Sequence, residues 1–383
     1  MSKRSILIAL LCLLPLSAGA QGFVKNVWDR INAPNPKLDS VYIFQHKKGW
    51  SVAAGYKLIQ NTAEIDSKEI MGIKGEGMAQ HELDLRLEPN IAHKVGASVG
   101  YGGLKLTYYQ TVARIGDKGH SAGFTWNSNS FAITARYQDY TSTPYGLFTI
   151  KPIDNPDDIK EYDHEGEKSA KVRNVFVNGL YAFNGKKFSY KAAYNGGVTQ
   201  RKSAGAFILS LKYMYGSVAL DPEEDVFLNF LSGIGRYQTH QASLGAGYSF
   251  NWVPYHRDAV SATNLHGLRN LCINVTLVPM VTLFNMTITQ EYERDSDQPN
   301  KFDDDIANEF KIVGNIEPNF TVRAGINYAI GHLYMNALGE FGYLFFRTPS
   351  KDFTRKGDNG IITLSQNGKF VLWSVTFQLN YRF

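Results

Sequence analysis

Residues Gly119–Gly123 read GHSAG, a match to G-x-S-x-G, the turn that exposes the nucleophilic serine of α/β-hydrolases. That chemistry asks three things of its surroundings. There must be a strand before Ser121, a helix after it beside the oxyanion amides, and a histidine within hydrogen-bond reach. The next residues instead read FTWNSNSFAITARY, where Phe124 and Trp126 alternate with Thr125 and Asn127. A period of two predicts a strand, a tight turn at Asn127-Ser128-Asn129 and a second strand. Neighbours in a strand point to opposite faces, so His120 and Ser121 diverge, with Ser121 opposite the Phe124/Trp126 face. None of the nine histidines sits two residues from a serine within a predicted strand. Only a cross-strand partner is left open, and no catalytic residue is assigned.

Acidic clusters are the second candidate chemistry: Asp303-Asp304-Asp305, Asp221 with Glu223, Glu224 and Asp225, and the run from Asp154 to Asp158. A calcium loop of the EF-hand kind needs glycine at its sixth position and glutamate at its twelfth, and none has both. Solvated loops are the expectation, with no metal site and no cofactor. Of the two cysteines, Cys12 lies in an N-terminal leader. Cys272 alone then forms neither an intramolecular disulfide nor a cysteine-based zinc site.

The elements that position these groups are set by the chain's ends. MSKRSILIALLCLLPLSAGAQ has the charged start, apolar centre and Ala18-Gly19-Ala20 ending of a secretory signal peptide, residues 1–20, cleaved near Ala20-Gln21. Its loss takes Lys3 and Arg4 and lowers the formal charge from +5 to +3, too little to argue for nucleic acid. Residues 21–48 come after it as a short periplasmic segment. In it Val24, Val27, Trp28 and Ile31 predict an amphipathic helix broken by Pro34 and Pro36. The best later apolar run, Leu271–Phe284, is interrupted by Asn274, two threonines and Pro279, so helical membrane spans are not expected. The chain closes on FVLWSVTFQLNYRF, whose odd positions from Val371 to Phe383 are apolar and aromatic and whose even positions are mostly polar. An exported chain ending on such a strand predicts an outer-membrane β-barrel, because a sheet crosses lipid only when closed.

The alternation recurs. Gly49–Gln60 puts Trp50, Val52, Ala54, Tyr56 and Leu58 on one face. Ala79–Glu88 sets Leu83, Leu85 and Leu87 against Glu82, Asp84, Arg86 and Glu88, and Phe310–Ile330 reads as one unbroken alternation. Two segments are ambiguous: His93–Gln110 is a hairpin at Gly102-Gly103 or one bulged strand, and Phe188–Gly197 is a strand or part of a connection. A bulge and a connection give about 12 strands over 49–383; the alternative is 14. With 12, residues 61–78, 111–119, 142–170, 218–235, 290–305 and 348–368 are outer loops. Glu88-Pro89-Asn90, Asn127-Ser128-Asn129 and Gly331-His332 are then tight inner turns. The polar faces name a candidate lumen lining: Glu82, Asp84, Arg86, Arg136, Lys212, Lys311, Glu317, Arg323, Glu340 and Arg382. Both signs occur, so these groups either pair and plug the lumen or border a narrow polar path.

Three further segments, LDSVYI (Leu38–Ile43), KKFSYKAAY (Lys186–Tyr194) and QRKSAGAFILSLKY (Gln200–Tyr213), carry a family resemblance. They look like the outer-membrane "domain of unknown function" barrels common in Bacteroidota. The resemblance covers most of the mature chain, with FSY and QRKSAG its most specific part. It implies the fold and the compartment, and no activity.

The sequence thus predicts an all-β, transmembrane, antiparallel up-and-down β-barrel in the outer membrane. The expected role is a passive narrow channel or a structural surface protein, not an enzyme. An enzyme acting on lipid or lipopolysaccharide and a secreted soluble β-protein are the alternatives. The expected partners are outer-membrane lipid and lipopolysaccharide, with the barrel-insertion machinery during biogenesis and no nucleic acid.

Overall fold

The computed structural model describes residues 38–383 apart from 74–76, 88–90, 113–118, 153–156, 195, 232, 299–300, 315–316, 348–350 and 354–361. The leader, the helix expected around Trp28 and the turn expected at Glu88-Pro89-Asn90 lie outside the described residues.

A short β1 (Ile43–Gln45) precedes the wall, which begins with β2 (Trp50–Ile73), β3 (Gly77–Leu87), β4 (Ala92–Tyr101), β5 (Leu104–Thr111), β6 (Gly119–Asn127) and β7 (Phe131–Ser142). A hairpin of β8 (Pro144–Pro152) and β9 (Lys160–Glu165) leads to β10 (Ala170–Ala182). Helix α1 (Tyr190–Tyr194) and β11 (Val198–Gln200) come next, then β12 (Ala204–Ala219), helix α2 (Asp225–Phe230), β13 (Ile234–Arg257) and β14 (Arg269–Arg294). The chain finishes with β15 (Phe302–Val313), β16 (Pro318–Ile330), β17 (Leu333–Arg347), β18 (Lys351–Phe353) and β19 (Ile362–Arg382).

Twelve antiparallel strand positions close into a barrel. The first and last strands pair along their length, with Ser51 opposite Arg382, and the ring closes between β7 and β10. Some positions are filled by two successive strands. β3 pairs with the distal half of β2 and β4 with its proximal half, both antiparallel, so the chain does not reverse between Leu87 and Ala92. It reverses at Gly102-Gly103, where Tyr101 pairs with Leu104 and Gly102 has φ +62°, the left-handed region that glycine enters without strain. The one-residue phase slip that reads as a bulge is therefore a two-residue turn. The inner turn moves from 88–90 to 102–103, and the count of 12 stands. In the same way β15 and β16 occupy successive stretches of β14.

We call the end holding Trp50 and Phe383 the near end. The turns at Gly102-Gly103, Asn127–Asn129 and Gly331-His332 lie there. The segments expected as outer loops lie at the far end, but several are largely strand: β2 runs 24 residues and β14 runs 26. A strand needs only about 10 residues to cross lipid, so these are longer than a membrane crossing requires.

The barrel's polarity inverts along its axis. In the near half the outward positions are apolar, with Phe207, Leu211, Trp252, Val275, Phe377 and Leu379 all exposed, while the inward positions are polar. In the far half Leu83, Leu85, Leu87, Phe148, Phe227 and Leu228 pack inside as one apolar core, and charges face outward. The first arrangement suits a lipid surround and the second suits water.

Candidate functional site

The GHSAG stretch is most of β6. Ser121 faces inward and is buried, as its phase predicts, while His120 faces outward and stacks near Tyr108 and Tyr137. No helix comes after β6, because Asn127 leads through a tight turn into β7. The Ser121 hydroxyl has no hydrogen-bond partner among the described residues, so nothing there activates it as a nucleophile.

Ser121 lines a chamber of about 120 Å³ at mid-barrel, together with Lys57, Arg136, Arg323 and Glu340. Arg136 on β7 donates to Glu340 on β17 at 2.6 Å. Those strands are not neighbours in the wall, so the bond spans the lumen. Glu340 is also the cross-strand partner of Arg323, whose guanidinium lies 4.8 Å from the Tyr194 ring centroid. Lys212 reaches the Thr321 hydroxyl at 3.3 Å beside the same carboxylate, and Arg382 sits at the near end against His46 and Tyr334. Of the residues named from the sequence, Arg136, Lys212, Arg323, Glu340 and Arg382 thus face the interior.

The others do not line this chamber. Glu82, Asp84 and Arg86 point outward from β3, where Glu82 binds Lys68 and Lys151 and Asp84 binds Arg86. The alternation holds, but its faces are exchanged. At this height the interior is apolar, so the leucines turn in and the charges turn out, an arrangement that suits water outside. Lys311 is also outward and exposed. It opposes Ile288, while Phe310 opposes the buried Thr289. The phase flips across the break between β15 and β16, so Phe310–Ile330 is not one unbroken alternation. Glu317 lies in that break, half-buried, its carbonyl accepting from the Thr282 amide at 2.8 Å.

Lys57, Lys94 and Lys105, all buried on the inward face, are absent from the lining that the sequence names. Lys57 is legible in phase, because it lies opposite the Trp50–Leu58 face. Lys105 is hidden when the hairpin at Gly102-Gly103 is read as a bulge. It donates to Gln378 at 2.6 Å and to Asn380 at 3.0 Å.

The near end of the lumen is filled by the connection between β10 and β12. All five residues of α1 are buried. The Tyr194 hydroxyl bonds Asn274, Asn327 donates to the Ala192 carbonyl at 2.6 Å, and Asn251 donates to the Ser189 carbonyl at 3.0 Å. Gln200 ties the segment together, accepting from the Ser189 amide and donating to the Lys187 carbonyl. β1 adds to β11, with Ile43 opposite Gln200, and the Asp39 amide donates to the Lys186 carbonyl. The three segments that carry the family resemblance are brought together here.

Outside the wall, the near-end connection after β13 holds Asp258 against Arg201 at 2.7 Å and His256 at 2.9 Å. Burial pushes its carboxyl up, but the hydrogen bonds from His256 and Arg201 outweigh that and hold it below the ordinary aspartate range. A lowered folded value stabilises above the unfolded pKa of about 3.9 and is lost as pH falls through the folded value. Chemical denaturation from pH 6 down to pH 3 should therefore show a loss of stability that Asp258→Asn removes.

The acidic clusters are not loops throughout, since Asp303–Asp305 lie on β15 and Asp304 pairs with Arg236. Among the described residues no three His, Cys, Asp or Glu side chains gather as a metal site.

A family described as "Domain of unknown function (DUF4421)" matches residues 37–340, a span that includes the plug and every charged group of the chamber. The chain belongs to this family. No curated protein matches this DUF4421 chain. Among solved structures it is similar to the outer membrane protease OmpT from Escherichia coli, at 9% identity and a TM-score of 0.40, over 88% of this chain and 97% of that one. It is also similar to the beta domain of the Bordetella autotransporter BrkA, at 9% identity and a TM-score of 0.28, over 86% and 99%. A third is the toluene transporter TodX of P. putida, at 7% identity and a TM-score of 0.21, over 88% and 90%. At these scores none bears on activity, and the strand pairing alone carries the fold.

Proposed function

We propose that this chain is an integral outer-membrane β-barrel with a closed lumen, a structural surface protein and not a continuous channel. The exposed apolar belt of the near half supports the membrane reading, since a soluble surface rarely carries so large an apolar patch. The tight-turn end is the periplasmic one and the long hairpins stand outside. On this reading residues 1–20 are removed on export, 21–48 lie in the periplasm and 49–383 form the barrel. Its surroundings are outer-membrane lipid and lipopolysaccharide, reached through the barrel-insertion machinery.

The fully buried α1 is the observation that carries the closed lumen. The Arg136–Glu340 bridge above it and the apolar core under α2 add two further barriers. Boiling should change the protein's migration in a denaturing gel, as unfolding a barrel does. Migration that boiling leaves unchanged counts against the barrel. In planar bilayers the protein should give no stepwise current, and discrete conductance steps would replace the structural role with a channel. An enzyme acting on lipid draws no support from Ser121, which faces away from the lipid belt.

A further inference from the structure

The mid-lumen chamber is short of negative charge. Lys57, Arg136 and Arg323 line it and Glu340 is its one carboxylate among the described residues, a formal surplus of two positive charges. Glu340 is already bonded to Arg136. Lys57 is 6% exposed, and among the described residues no carboxylate or hydrogen-bond acceptor reaches its ammonium, which lies 6.0 Å from the centroid of the Tyr109 ring. Directly across the sheet from Lys57 is Lys94, 2% exposed and likewise without an ion pair among the described residues. Like charges directly opposite in a sheet repel, and buried cations without partners are costly. The buried Ser121 hydroxyl and the Arg136 Nε donor are aimed inside with no partner of their own among the described residues. Donors and positive charge therefore converge on one space, which has room for several waters or one small polyatomic ion.

We propose that this chamber is a binding site for a small inorganic oxyanion of the phosphate or sulfate type. Arg136 and Arg323 supply directional donors, Lys57 supplies the compensating charge and Ser121 supplies a neutral hydrogen bond. The anion binds between the plug and the far apolar core and offsets the charge surplus that the wall leaves. The site rests on the closed barrel proposed above but is read separately, because heat-dependent migration reports the barrel and anion uptake reports the site.

The test uses the full mature chain, folded in detergent with radiolabelled inorganic phosphate and then desalted. The wild type should retain about one phosphate per barrel, displaced by sulfate and not by chloride. Lys57→Met should retain at least about ten-fold less while keeping heat-dependent migration. Should Lys57→Met fail to fold, Ser121→Asp answers the question, since it places a carboxylate where the anion would sit. It should abolish phosphate retention and raise the unfolding temperature. Retention that is absent from folded wild type, or equal in wild type and a folded variant, overturns the site. So does a Ser121→Asp barrel that is less stable than wild type.

Discussion

Glu340→Gln is expected to destabilise the barrel by about 3 kcal/mol, the low end of the range for breaking a buried ion pair. The low end applies because both partners keep about a quarter of their side-chain surface accessible, 25% for Arg136 and 23% for Glu340. The cost arises less from the bond lost than from what remains. Arg136 loses its acceptor, and Arg323 and Lys212 lose the one carboxylate that faces them among the described residues. Reversible urea unfolding in detergent or vesicles should show a lower midpoint with little change in slope. The double variant Glu340→Gln with Arg136→Met should recover part of the loss, since it removes the stranded charge along with its partner. A single-variant loss below about 0.5 kcal/mol would make the bridge a surface-like pair and reopen the lumen as a hydrated path.

Leu85→Ala is expected to cost about 2–5 kcal/mol, whereas Arg86→Ala should change stability by about 0.5 kcal/mol or less. Leu85 is 0% exposed within the far-end core, while Arg86 lies outside, bound to Asp84 as a partly exposed pair. The comparison tests the inverted polarity of β3 directly. Had the charged face lined the lumen, Leu85 would face outward and tolerate truncation, and Arg86 would be the sensitive position. Equal effects, or the reverse order, would sink this assignment.

Much of the wall is readable from the chain. Phase places Ser121 inward and His120 outward, and it puts Arg136, Lys212, Arg323, Glu340 and Arg382 inside. Period two is a property of the backbone, so it survives without tertiary information. What it does not carry is which face is which. On β3 and at Lys311 the polar side is assigned to the lumen by a rule that holds only within lipid. Those residues stand beyond the exposed apolar belt, where the interior is apolar and the charges face outward. The hairpin at Gly102-Gly103 escapes the sequence for a related reason: a two-residue turn and a bulge shift the phase alike, and only pairing tells them apart.

The residues of Phe188–Gly197 show the limit most plainly. Their sequence allows a strand or a connection, since a short buried apolar run has no decisive period. In the structure they make the plug, held by Asn251, Asn274 and Asn327 on the adjacent strands β13, β14 and β16 and by Gln200 from the far side of the same connection. The sequence by itself determined that the strands have an apolar and a polar side, because alternation at period two is a property of the extended backbone. Only the tertiary structure decided where the sides exchange, that the Tyr190–Tyr194 helix fills the near end of the lumen and that Lys57 stands beside Lys94. Those facts depend on contacts between residues distant along the chain and on the height of each residue along the barrel axis.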